Sequence, residues 1–122
     1  MLYMFVLYWD PQVEPAGDVM EQHFALAREA RSKDAYICSE AIGGTENATT
    51  VRVRGGKVLT TDGPFMETKE VFGGFYILDC KDLDEALEYA AKIPDAQSAS
   101  VEIRPIVNVP GWEYATAPDR RA

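Results

Sequence analysis

The sequence predicts one α+β domain in which a β-α-β unit is followed by a hairpin and a second β-α-β unit. Leu2–Trp9 and Val71–Cys80 are apolar on both alternations, which is typical of strands buried on both faces. A helix-like amphipathic segment follows each of them. A chain of 122 residues is long enough for one such domain with a modest core.

The two predicted helices span about residues 18–33 and 82–93, and Pro94 ends the second. Each opens with an aspartate and a glutamate three residues later, the spacing of a capping box: Asp18 with Glu21, and Asp82 with Glu85. The apolar arc of the first helix, about 160° wide, contains the single histidine. Its members are Val19, Met20, His23, Phe24, Leu26, Ala27 and Ala30.

Tyr36–Ile42 and Ser100–Val109 supply the remaining strands of the predicted sheet. Between them, valines alternate with arginines on either side of a Gly55-Gly56 turn, which predicts a hairpin ending near Thr61. Two β-α-β units of this kind interleave into a four-stranded antiparallel sheet with both helices on one face, the ferredoxin-like arrangement.

Helices on one face leave the other face of the predicted sheet bare. The two central strands are apolar on both sides, so about four to six large side chains would face water at about 1.5–3 kcal/mol each. The sum is on the order of 10 kcal/mol, comparable to the stability of a whole domain. We therefore expect a homodimer whose sheets pack face to face.

Composition narrows the class of function. The formal charge of −8, without a Lys/Arg cluster, argues against direct nucleic-acid binding, which depends on neutralising phosphates. No apolar stretch reaches the length of about 18 residues that a membrane span needs, and the apolar start lacks the basic region of a signal peptide. Cys38 and Cys80 form neither a disulfide framework nor metal-ligand spacing. We expect a cytoplasmic protein without metal or cofactor.

Three motifs occur in a fixed order after the hairpin: TDGPFMETKE at Thr61–Glu70, GGFY at Gly73–Tyr76 and DLDEA at Asp82–Ala86. In this order they resemble the DGPF group of the YCII-related proteins. The opening strand and the final VEIRPI also fit, so we expect a YCII-related domain over residues 1–110. Residues 111–122 form a tail outside the motifs, either flexible or packed on a dimer partner.

The resemblance implies the dimeric α+β-barrel form of the ferredoxin-like fold. The DGPF group has no established common activity, and some members are found beside extracytoplasmic-function sigma factors. The wider family is similar to small cofactor-independent enzymes in which a histidine of the first helix and an aspartate are proposed as an acid/base pair. EQHFALARE resembles the stretch that carries this histidine, so His23 is the residue that carries over.

Asp62 is the candidate carboxylate for such chemistry. It ends a strand at a Gly-Pro turn, which suits a general base or a substrate anchor, whereas the alternative is an Asx-turn with a purely structural role. Phe65 and Glu67 follow in a dense cluster of polar residues, and we take both as candidate substrate-binding residues.

Gly73, Gly74 and Tyr76 complete the set of candidate substrate-binding residues. Glycines at the start of a buried strand mark a bulge or the close approach of a ligand or a second backbone, so this pair predicts either a pocket floor or a dimer contact. Tyr76 lies on the same face of the strand as Gly74. The hydroxyl of Tyr76 either faces a ligand or makes a hydrogen bond within the core.

His23 is either a partly buried histidine with a structural hydrogen bond or, with Asp62, half of a catalytic pair. The predicted function is therefore binding of a small organic molecule in a pocket of the dimeric barrel, with cofactor-independent acid/base chemistry. The alternative is a non-catalytic binding or regulatory module, linked to sigma-factor-dependent transcription through protein contacts.

Overall fold

The computed structural model describes residues 1–112 and confirms the predicted α+β class. Its elements are β1 (Leu2–Trp9), α1 (Val19–Ser32), β2 (Tyr36–Ala41), β3 (Thr49–Arg54), β4 (Lys57–Asp62), β5 (Val71–Asp79), α2 (Leu83–Ala91), α3 (Asp95–Ser98) and β6 (Ser100–Pro105). A 3₁₀ turn at Thr45–Asn47 precedes β3. The predicted tail lies, from residue 113 onward, outside the described residues.

The main sheet has four strands in the order β2-β5-β1-β6, and each neighbouring pair is antiparallel. The two strands that the sequence predicts to be buried on both faces, β1 and β5, are the central ones. Burial alternates along them, so one face forms the core with α1 and α2. The large side chains of this core are Tyr3, Phe5, Leu7, Leu26, Tyr76, Leu78, Tyr89 and Ile93.

The opposite face of the main sheet, which we call the open sheet face, is also apolar. Register and alternation place the other side chains of β1 and β5 there. These side chains are half-buried in the single chain: Leu2, Met4, Val6, Tyr8, Phe75 and Ile77.

Both predicted helix caps are present. Asp18 accepts a hydrogen bond from the backbone N–H of Glu21 at 3.0 Å, and Asp82 accepts one from Glu85 at 2.9 Å. The predicted end of α2 is two residues too late, and the sequence did not predict α3. Pro94 explains both differences, because a proline terminates one helix and is tolerated at the start of the next.

The apolar arc of α1 is narrower than the periodicity predicts. Leu26 and Ala30 are buried, and His23 is partly buried. Met20 and Phe24, by contrast, are 57% and 52% exposed. The sheet covers the side of the arc that holds Leu26 and Ala30, so the two side chains at the other edge remain in water.

The predicted hairpin forms, but as a separate two-stranded sheet of β3 and β4. Gly55 and Gly56 both have positive φ, as a two-residue type I′ turn requires. We call residues 49–62 the hairpin arm. Apart from the 3₁₀ turn before it and Gly63 after it, the arm is bonded chiefly to itself, and nearly all of its side chains are exposed.

Candidate functional site

His23 lies at the centre of a chain of three polar side chains, one from each of three elements. Its Nδ1 is 2.6 Å from the hydroxyl of Tyr76 on β5, and its Nε2 is 3.3 Å from Oδ1 of Asp95 on α3. The side chains of His23 and Asp95 are 20% and 18% exposed, so both remain within reach of solvent. A tyrosine, a histidine and a carboxylate are thus aligned at the edge of the core.

The position of Asp95 favours one tautomer of His23. Burial, with smaller contributions from Tyr36 and the Asp95 carboxylate, raises the pKa of Tyr76 to about 12, so its hydroxyl keeps its proton at neutral pH. A neutral phenol can donate or accept, so the tautomer of His23 decides the direction of its hydrogen bond to Tyr76. The carboxylate 3.3 Å from Nε2 favours a proton on that nitrogen, which leaves Nδ1 to accept from the phenol.

A cleft of about 190 Å³ opens beside this chain. Its lining is mainly apolar with two carboxylates, and comprises Trp9, Asp10, Val13, Pro15, Val19, Pro94, Asp95 and Ser98. Val19 precedes His23 by four residues on α1, so the two side chains share one face of the helix. Asp95 is the member of the Tyr76–His23–Asp95 chain that faces the cleft directly.

Trp9 forms a wall of the cleft because β5 has a bulge opposite it. Leu7 pairs with Gly74 and Tyr8 pairs with Phe72, which leaves Gly73 without a partner in β1. A Cβ at position 73 would lie 2.7 Å from Cδ1 of Trp9. The indole of Trp9 therefore occupies the space that a side chain at position 73 would fill.

Gly74 permits a different close contact, between the backbones of β5 and β2. A Cβ there would lie 2.8 Å from the backbone carbonyl oxygen of Glu40 on β2. Gly73 thus marks a bulge and Gly74 a close backbone contact within the chain, whereas a pocket floor or a dimer contact at this pair stays a prediction. A role of Gly73 or Gly74 in binding a substrate stays a prediction.

Asp10 is the second carboxylate of the cleft, and its residue is only 6% exposed. Its Oδ1 accepts a hydrogen bond from the backbone N–H of Gln12 at 2.9 Å, and its Oδ2 lies 3.9 Å from Nζ of Lys69. Lys69 belongs to the TDGPFMETKE motif. The motif therefore contacts a cleft residue through its lysine.

The structure does not bring the other predicted site residues of this motif to His23 within one chain. Asp62 ends β4 on the hairpin arm and is exposed, and Phe65 and Glu67 are exposed in the turn that follows. Within residues 1–112, the Asp62 carboxylate makes no hydrogen bond, and an Asx-turn to position 64 is excluded because Pro64 has no N–H. A pairing of Asp62 with His23 stays a prediction for an assembly of two chains.

Sequence reasoning identified His23 and Tyr76 but missed their partner Asp95. In the sequence, Asp95 is an ordinary acidic residue directly after Pro94, the proline that ends the second predicted helix. Asp10 was missed for a similar reason, since it follows a strand at the start of a proline loop.

Neither metal ligands nor a membrane span emerges from the part of the chain that the structure describes. Among residues 1–112, no group of three or more His, Cys, Asp or Glu side chains is arranged to hold a metal ion. Over the same residues, no helix combines the length and apolar character needed to cross a bilayer.

The fold and site define a small α+β protein with a histidine between a tyrosine and a carboxylate beside an apolar cleft. The sequence matches the family model of the YCII-related domain over residues 1–110. It is also 34% identical over 114 residues to an uncharacterized protein of Rhizobium meliloti (strain 1021), with 87% of this chain and 92% of that protein covered. The chain belongs to the YCII-related family.

Among solved structures, the chain is similar to 5-chloro-2-hydroxyhydroquinone dehydrochlorinase from Burkholderia phenoliruptrix AC1100 in complex with 2,5-dihydroxybenzoquinone. The match has a TM-score of 0.44 and 14% sequence identity, and it covers 89% of this chain and 96% of that one. A likeness at this level carries no conclusion about the ligand or reaction of the present chain.

Proposed function

We propose that the protein is a homodimeric, cofactor-independent enzyme that binds a small organic molecule in the cleft beside Asp95 and transfers a proton within it. The Tyr76–His23–Asp95 chain is the observation that carries the proposal. It combines a carboxylate facing an apolar cleft with a histidine that holds the carboxylate in place. Acid/base chemistry needs this combination of a concave site and coupled titratable groups.

In the proposed mechanism, Asp95 accepts a proton from an acidic C–H or O–H of the bound molecule. His23 donates its Nε2–H to the carboxylate and so stabilises the charge that Asp95 carries before transfer. Tyr76 holds Nδ1 as an acceptor and keeps the ring in this orientation. Return of the proton from Asp95 to a different atom of the same molecule completes a tautomerisation, which consumes no other reactant.

The cleft favours a largely apolar ligand with few charges. Trp9, Val13 and Pro94 provide apolar walls, while Asp10 and Asp95 disfavour an anion. Trp9 offers a flat surface against which a planar ring can stack. These features support a small, planar, neutral or cationic molecule with an ionisable C–H or O–H.

The dimer in this proposal is the arrangement in which the open sheet faces of two chains pack together as an α+β barrel. The strand order of the main sheet and the apolar open sheet face support it. We place the protein in the cytoplasm, because a reducing compartment suits the two free cysteines, Cys38 and Cys80.

The proposal is tested by proton exchange in D₂O. A panel of small, neutral cyclic ketones and phenols is incubated with the protein, and loss of the exchangeable C–H signal is followed by NMR. We expect at least one compound to exchange about 10²–10⁴ times faster than in buffer. His23→Gln and Asp95→Asn should each abolish the acceleration, whereas Glu102→Gln on β6 should not. Binding at Trp9 without accelerated exchange would instead make the protein a non-catalytic binding module.

A further inference from the structure

In the single chain, the hairpin arm exposes a surface of valine side chains to water. Val51, Val53 and Val58 are 59%, 57% and 68% exposed. The cross-strand pairs Val53–Val58 and Val51–Thr60 place these valines on one face of the arm. An isolated two-stranded hairpin is only marginally stable in water, so an arm of this kind needs a surface to pack against.

The opposite face of the arm is basic. Arg52 pairs with Leu59, and Arg54 pairs with Lys57. The arm, residues 49–62, carries a net charge of +2, which leaves −10 on the rest of the chain to make up the total of −8. A basic arm on an acidic body is attracted to the body of another copy of the same chain.

The same chain also carries an apolar surface of matching size, the open sheet face. Strands of six residues make the arm about 20 Å long. Four strands spaced at about 4.8 Å make the main sheet about 15–19 Å wide. The arm is therefore long enough to cross the sheet of a second copy.

We propose that the hairpin arm is exchanged between two copies of this chain, with its valine face packed at the margin of the second copy's open sheet face. The inference rests on the homodimer proposed above and adds an element to its interface. In that dimer the sheets face each other, and a twofold exchange places each arm at the margin of the second copy's sheet face. Each arm then gains a packing surface for valines that are exposed in the single chain.

Substitutions on the two faces of β4 test the exchange. Val58→Asp places a charge on the valine face, and Leu59→Asp places the same charge on the opposite face of the same strand. By sedimentation velocity, we expect Val58→Asp to raise the Kd of the dimer at least about 100-fold, because a buried carboxylate has no partner there. Leu59→Asp should change it less than about threefold. Equal effects of the two variants, or none from either, would overturn the exchange.

A second measurement does not depend on how the variants fold. Protein with ¹³C-labelled valine methyls is mixed with unlabelled protein, and an isotope-filtered NOE experiment detects contacts between copies. We expect NOEs from the methyls of Val53 and Val58 to the ring protons of Tyr8 or Phe75. A dimer that lacks them would refute arm exchange and leave the homodimer standing. A wild-type protein that sediments as a monomer at 100 μM would refute both proposals.

Discussion

At the scale of single residues, the proposed chemistry of this protein depends on His23 and its two neighbours, Tyr76 and Asp95. Tyr76 is nearly inaccessible, whereas Asp95 faces the cleft. His23 connects them, so a change at either partner is transmitted to the imidazole. Because the chain has one histidine, its ring can be observed without interference from others.

Replacing Tyr76 by phenylalanine is expected to change stability at alkaline pH. The folded state raises the pKa of Tyr76 from 10.0 to about 12. The stability linked to its protonated phenol is therefore fully present below pH 10 and is lost as the pH rises toward about 12. In denaturant titrations, the wild type should lose about 2 kcal/mol more of its free energy of unfolding over this interval than Tyr76→Phe does. Parallel curves for the two proteins would contradict the buried phenol.

Replacing Asp95 by asparagine is expected to change the tautomer of His23. The carboxylate lies 3.3 Å from Nε2 and favours a proton there, whereas an uncharged amide can accept or donate, so the preference for Nε2–H should weaken. The ¹⁵N chemical shifts of the imidazole report the tautomer directly. A matched substitution, Asp84→Asn on the first turn of α2, should leave these shifts unchanged. If Asp95→Asn also leaves them unchanged, Asp95 does not orient the ring.

At the scale of elements, the two glycines at the start of β5 each lie close to a neighbouring group. The two neighbours differ in how easily they would make room for an added side chain. The contact at Gly74 involves the backbone of β2, which can move only with the sheet. The contact at Gly73 involves the indole of Trp9, which can rotate away. The physical difference lies in the rigidity of the neighbour.

We therefore expect Gly74→Ala to cost about 1–3 kcal/mol of unfolding free energy, since β2 must shift away from β5. Gly73→Ala should cost less than about 1 kcal/mol, but it should move Trp9 and reshape the cleft. Chemical denaturation measures the costs, and tryptophan fluorescence in a Trp112→Phe background reports Trp9. A larger cost for Gly73→Ala than for Gly74→Ala would show that the indole is the more rigid neighbour.

At the scale of the whole molecule, the decisive feature is that one face of the sheet forms the core and the other is apolar but open. Ile77 lies on the open sheet face opposite Met4. A lysine at this position can extend its ammonium group to water in a single chain while its stem covers the sheet. The same ammonium group would be buried without a partner if a second sheet packed on this face.

Ile77→Lys is therefore expected to keep the fold and to weaken the dimer at least about 100-fold. Light scattering after size-exclusion chromatography measures the mass, and far-UV circular dichroism checks the fold. Ala25→Lys, at an exposed position of α1 away from the open sheet face, adds the same single charge and is the matched control. A dimer that survives Ile77→Lys unchanged would exclude the open sheet face from the interface.

Signals that act over a few residues allowed most of the fold to be predicted. The caps at Asp18 and Asp82, the Gly55-Gly56 turn and the apolar strands β1 and β5 all form as predicted. The site was only partly predictable. His23 and Tyr76 were identified from their positions on a helix and a strand, but the expected partner, Asp62, lies on the hairpin arm, whereas Asp95 contacts the ring.

The sequence by itself determined the elements and their order, because capping, turn formation and side-chain periodicity depend on neighbours along the chain. Tertiary structure decided which groups meet. α3 packs against β1 and β6, and this packing, rather than any local pattern, brings Asp95 to His23 and opens a cleft next to Trp9. Tertiary structure likewise left the hairpin arm apart from the main sheet, with its valines exposed in the single chain.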